Sequence, residues 1–200
     1  MTVRIVTSAG HDFVFAVPPT IESSALSVVE VEQGDTVRLD CSASGSPPPS
    51  VTWTRLGRPL PDGSLQLDSD TVIFSQASRQ HAGTYQCTAT NGPGREASKL
   101  VELEVRHPPE IELGQIFVSS FTGQDEVELV CNVHANPAPK VVWTKDGGDI
   151  KEERRVHIKV VGRRHSLVIS RVQQADFGQY SCSATNRLGQ AEKTIELSGQ

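Results

Sequence analysis

The chain has 200 residues, enough for one large or two small domains, and its 36% hydrophobic and 22% charged side chains are an ordinary balance for a globular protein. Its net charge of −5 excludes non-specific nucleic-acid binding, which needs a basic surface. Through Arg106 there are 8 basic minus 12 acidic residues (−4), and beyond it 11 minus 12 (−1), so neither half is a polycation.

At the N-terminus, Met1-Thr2-Val3-Arg4-Ile5 opens no secretory signal, because no apolar stretch of the needed length follows. Residues 1–16 read either as a tag or as the remnant of a preceding domain, with His11 to Ala16 as its last strand. From there alternation dominates and helical periodicity is nearly absent. Val37, Leu39, Cys41 and Ala43 alternate with polar residues, as a strand with one buried face requires. A Pro-rich turn and a tryptophan strand follow, Gly45-Ser-Pro47-Pro-Pro49-Ser-Val51-Thr-Trp53, with Val51 and Trp53 expected inward. Val72, Phe74 and Ala77, then Tyr85, Cys87 and Ala89, then Ala97 to Val105 continue the pattern.

The second half repeats it. Val127 to Val133 answers Val37 to Ala43, and Ala135-Asn-Pro137-Ala-Pro139-Lys-Val141-Val-Trp143 answers the first tryptophan strand. Leu167, Ile169 and Val172 precede Gly178-Gln-Tyr180-Ser-Cys182-Ser-Ala184, and Ala191, Lys193, Ile195 and Leu197 close the copy. Each Tyr-x-Cys strand runs into Asn and then Gly (Asn91 to Gly94, Asn186 to Gly189), types suited to the positive φ angles of a hairpin turn. The sequence predicts an all-β chain with domains at 17–106 and 107–200. They are joined by a short linker, His107-Pro108-Pro109, that is expected to hold them in an extended rod.

Cys41, Trp53, Tyr85 and Cys87 therefore have counterparts in Cys131, Trp143, Tyr180 and Cys182, and these are all the cysteines and tryptophans of the chain. Four cysteines allow three pairings, and the repeat selects Cys41–Cys87 with Cys131–Cys182 because each unit must close on itself. Complete pairs point to an oxidising compartment, with a reduced intracellular protein as the competing reading. No Cys-x-x-Cys motif suggests a metal or redox site.

Cys, Trp twelve residues on, then Tyr-x-Cys resembles the immunoglobulin fold, in its intermediate-set form. The resemblance implies two tandem sandwiches, a tryptophan packed on each disulfide, and Tyr85 and Tyr180 as tyrosine-corner residues. His107-Pro108-Pro109-Glu110-Ile111, Arg164 to Ile169, Asp176-Phe177-Gly178-Gln179-Tyr180-Ser181-Cys182 and the ending Leu188-Gly189 through Gly199 are similar to three-domain neuronal surface proteins of the lachesin, klingon, IgLON and Dpr-interacting type. By that resemblance the chain corresponds to domains two and three, without the first domain or the membrane anchor. In the family the aspartate before the corner tyrosine pairs with a basic residue. Asp176 is thus expected to meet Arg154 or Arg155. The first copy has His81 there, and no Arg or Lys from Gly63 through Ser78, so an ion pair is expected in the second domain only.

Catalysis has no framework. Ser166, His165 and Asp176 assemble a triad on paper, but neighbours on a strand face opposite ways. His157 and His165 are placed for a meeting across a hairpin, too few for a zinc site. No enzyme activity, cofactor or metal is expected. The basic run, including Arg155, Lys159, Arg163 and Arg164, offers contacts to a protein or to a sulfated glycan such as heparan sulfate, with a solvated edge as the plainer reading. Ile116-Phe117-Val118 and Phe121 are expected in the core or at the domain joint, with projection of Phe117 towards a partner as the alternative. Asn91, Asn132, Asn136 and Asn186 all lack a glycosylation sequon.

The resemblance implies contact through the sheet of the tryptophan, Tyr-x-Cys and closing strands, in the first domain through Thr52, Thr54, Arg55, Thr84, Gln86 and Thr88. The expected function is extracellular recognition or adhesion at a neuronal-type cell surface, or a rigid spacer within such a protein. The alternative is a structural tandem segment of a muscle filament or matrix proteoglycan.

Overall fold

The computed structural model describes residues 16–22, 28–92 and 95–199, and the backbone of 4–6 and 12–14. It divides into two compact units, Met1–Arg106 and His107–Gln200. At the start, β1 (Arg4–Val6) pairs antiparallel with β2 (Asp12–Val14). His11 and Phe15, part of the remnant expected at 11–16, lie outside the described residues.

The first unit is a two-layer sandwich. Its strands are β3 (Val17–Ile21), β4 (Val28–Glu32), β5 (Val37–Asp40), β6 (Ala43–Ser46), β7 (Ser50–Arg55), β8 (Leu67–Asp68), β9 (Thr71–Phe74), β10 (Gly83–Thr90) and the first part of β11 (Ala97–Leu113). One layer runs β4–β11–β10–β7–β8, with β4 parallel to β11. The other consists of the pairs β3–β6 and β5–β9.

The second unit takes the end of β11, then β12 (Phe117–Ser120), β13 (Glu126–Asn136), β14 (Lys140–Lys145), β15 (Gly148–Asp149), β16 (Val156–Val161), β17 (Arg164–Ser170), β18 (Gly178–Asn186) and β19 (Gly189–Gly199). One layer is β12–β19–β18–β14–β15, and the other is β16–β17–β13–β11. A 3-10 turn at Gln174–Asp176 leads into β18.

Alternation explains both cores. Period-two side chains line one face of each strand, so two facing sheets exclude water between them. In the first unit Val37, Leu39, Val51, Trp53, Tyr85, Ala89, Val101, Leu103 and Val105 are buried around the Cys41–Cys87 disulfide. In the second unit Leu129, Val133, Trp143, Leu167, Ile169, Tyr180, Ala184, Ile195 and Leu197 surround Cys131–Cys182. The bridged Cα atoms stand 6.4 and 6.5 Å apart, and the bridges span 46 and 51 residues. Loops of that length correspond to about 4 kcal/mol in the chain-entropy model.

The asparagines after the Tyr-x-Cys strands do not use positive φ angles. They act through their side chains. Asn91 Nδ2 donates to the carbonyls of Val17 and Pro47, at 2.7 and 3.0 Å. Asn186 Nδ2 donates to those of His107 and Pro137, both at 3.0 Å, while its Oδ1 accepts the Leu188 N–H. Each asparagine thus ties the entering strand to the Pro-rich loop. Gly94 lies outside the described residues.

Candidate functional site

The corner below each Tyr-x-Cys strand is built the same way with different charges. Tyr85 Oη donates to the His81 carbonyl at 2.7 Å, and Tyr180 Oη donates to the Asp176 carbonyl at 2.5 Å. Burial pushes both phenols above their ordinary range. In the second unit Asp176 Oδ2 accepts the Gln173 N–H at 2.7 Å and meets Arg155 Nη1 at 3.0 Å. Arg155 is the partner of Asp176, while Arg154 is exposed. In the first unit His81 Nδ1 takes the aspartate's place and accepts the Ser78 N–H at 3.0 Å.

Among the described residues the first unit has no ion pair at this corner, yet it holds a buried cation there. Arg55 is only 8% exposed. It follows Trp53 by two residues on β7, so it shares the inward face with Val51 and Trp53. Its Nη2 donates to the carbonyls of Gln80 and Ala82, both at 2.6 Å, and its guanidinium lies 5.3 Å from the centre of the Tyr85 ring. Arg55 therefore does not belong to the outer contact face on which it was expected.

The other five residues of that set do share the outer face. Thr88 lies opposite Thr52, and Gln86 lies opposite Thr54 and Leu100. Thr84 is paired with Glu102. All five are half-buried, and Leu100 is exposed. Ser98 and Leu100 complete the face, and the alternation of β11 marks them, since Val101 and Leu103 point inward. The surface carries hydroxyl, amide and apolar groups, with two carboxylates at its border: Glu102 opposite Thr84, and Asp68, which accepts from Thr52 Oγ1 at 3.0 Å.

The basic run does not converge. Lys159 on β16 and Arg163 beside Gly162 are exposed at one hairpin. Arg164 Nη2 is held by Glu128 at 2.8 Å, and Arg155 by Asp176. The Ser166 hydroxyl and Arg164 hold the Glu128 carboxyl below its usual range. His157 pairs with Val168 and His165 with Val160, so the two imidazoles do not face each other. Burial lowers the pKa of His165. Ser166, His165 and Asp176 are not brought together: Ser166 is on the sheet's outer face, His165 on its inner one, and Asp176 binds Arg155. Among the described residues no three metal-ligating side chains cluster, and no helix is long and apolar enough to cross a membrane.

Ile116, Phe117 and Phe121 are 59%, 63% and 56% exposed, so they are not core residues. Phe117 lies beside Glu196 on the outer face of the edge strand β12, whereas Val118, one residue on, packs inward.

Residues 18–91 match the model of an immunoglobulin domain, and residues 115–198 that of the immunoglobulin I-set domain. One chain in the crystal structure of Dpr2 Ig1-Ig2 in complex with DIP-Theta Ig1-Ig3 is 30% identical, with a TM-score of 0.80 over 98% of this chain and 71% of that one. The chain belongs to the immunoglobulin superfamily. It is a tandem of two immunoglobulin domains, the second matching the I-set, and it is similar to one component of that complex. Lachesin of Schistocerca americana is 30% identical over 190 residues, covering 90% of this chain and 53% of lachesin. Hemicentin-2 of Mus musculus is 35% identical over 195 residues, covering 90% of this chain and 4% of hemicentin-2. The chain thus spans about half of the one relative and a small part of the other.

Proposed function

We propose that this chain is the recognition segment of an extracellular, cell-surface protein and that it binds other surface proteins in adhesion. The observation that carries this reading is the likeness, over nearly the whole chain, to a component of a complex between two immunoglobulin proteins. The outer face of β7, β10 and β11 supports it. A surface of half-buried Thr52, Thr54, Thr84, Gln86 and Thr88 with exposed Leu100 has few charges to desolvate when a second protein covers it. The two disulfides suit an oxidising, extracellular setting.

Surface plasmon resonance against a panel of extracellular immunoglobulin proteins tests the reading. A saturable partner is expected, and Gln86→Arg should weaken it at least tenfold without changing the melting temperature. If the two-unit chain binds nothing while the longer protein does, the segment is a spacer. The 35% identity to hemicentin-2 over 195 residues favours a second reading, a structural tandem within a larger assembly. A sulfated glycan is a weaker partner class, because Arg155 and Arg164 already hold carboxylates. Elution from heparin below physiological salt would exclude it.

A further inference from the structure

The corner beside Gly83 carries two cations and no anion. Arg55 Nη2 and Arg58 Nη2 both donate to the Ala82 carbonyl. Gly83, at φ +150°, lets them lie close: an added Cβ would stand 3.3 Å from Arg55 Nε and 3.5 Å from Arg58 Nη2. Arg55 Nε is buried and has no hydrogen-bond partner among the described residues. No carboxylate among the described residues pairs with either arginine. Three carbonyl contacts and the Tyr85 ring hold the guanidiniums in place, but none of them cancels the charge.

The second unit shows what balances the same corner. Leu56 N–H donates to the Thr84 carbonyl, and Asp146 N–H to that of Gln179, so the two corners correspond residue by residue. Gly178 stands for Gly83, Lys145 for Arg55 and Asp146 for Leu56. There the Asp146 carboxylate packs over Gly178, accepts the Gln179 N–H at 3.1 Å and pairs with Lys145 Nζ at 3.0 Å. The second unit supplies its own anion, whereas the first has replaced it with a leucine and added a second arginine.

We propose that the corner formed by Arg55, Arg58 and Gly83 binds the carboxylate of an Asp or Glu side chain that a partner protein presents beside an apolar residue. Guanidiniums match a carboxylate in plane and in donor spacing. Leu56, 48% exposed, supplies the apolar rim. A polyanionic glycan fits less well, because the unit's net charge is −4 (8 basic minus 12 acidic) and only two cations meet here. Since Arg55 is on the inward face of β7, the corner is separate from the outer face of the sheet. Either contact can therefore fail without the other.

The test is an NMR titration of the 200-residue chain. The probes are the peptides acetyl-Gly-Leu-Glu-Gly-amide and acetyl-Gly-Leu-Gln-Gly-amide, followed by the arginine Nε–H and Gly83 amide signals. Saturable shifts with the Glu peptide are expected, with binding about tenfold weaker or absent for the Gln peptide. Arg58→Ala should weaken the Glu peptide about tenfold, and Arg58→Lys should weaken it less. Arg58 is exposed, so both variants are expected to fold. The proposal is overturned by equal responses to the two peptides, by no saturable shift, or by an unchanged response in Arg58→Ala. Binding of a heparin tetrasaccharide at these signals without peptide binding overturns it in favour of a glycan site.

Discussion

At the scale of single residues, the two domains solve one problem with different chemistry. The tyrosine corner needs a carbonyl for its hydroxyl and an acceptor for a nearby N–H. Asp176 supplies both in the second domain and leaves a carboxylate that Arg155 neutralises. His81 supplies both in the first domain without a charge to balance. Asp176→Asn should therefore destabilise the second domain by about 2 kcal/mol, below the range for a fully buried pair because Arg155 is a third exposed. Adding Arg155→Met should recover part of that loss in urea unfolding; if the double variant is no more stable, the pair is not what sets the cost. Glu128 gives a pH signature. Its carboxyl titrates lower when folded than when unfolded, so its stabilisation is complete above the unfolded value of about 4.3. It disappears as pH falls through the folded value. Wild type and Glu128→Gln should differ in stability at neutral pH and converge in acid, measured by urea unfolding at both.

Among the elements, the difference between the copies has a plain structural result. The segment from Trp53 to Cys87 spans 34 positions, against 39 from Trp143 to Cys182. The longer segment builds β16, which pairs with β17 along Val156–Val161. Among the described residues the shorter one has no counterpart, and β9 pairs there with β5 alone. A groove of about 310 Å³, lined by residues that include Leu60, Leu67, Val72 and Phe74, lies beside that open edge. Every second amide of β9 points away from β5. Hydrogen exchange should find those amides at least about tenfold less protected than their counterparts in β17, which has partners on both sides. Equal protection would mean that the edge is covered.

For the whole molecule, each domain carries its own disulfide and its own core. Replacing Cys41 and Cys87 together by alanine should remove the first domain's unfolding transition, or lower its stability by about 4 kcal/mol, and leave the second domain's transition in place. Calorimetry of the variant tests this, since loss of both transitions would show that the domains do not fold as separate units.

Much of this was legible in the chain itself. The Cys–Trp–Tyr–Cys repeat and strict alternation determine two β sandwiches, because a period of two places every second side chain on one face and the bridged cysteines close each copy. Alternation also determines that Arg55 shares a face with Trp53, although its charge argues for an exposed place. Three features were decided only by tertiary structure. One is the choice of Arg155 over Arg154 for Asp176. Another is the exposure of Phe117 on an edge strand. The third is the meeting of Arg55 and Arg58 at Gly83. Each depends on distances between segments far apart in sequence, and local pattern carries no measure of those distances.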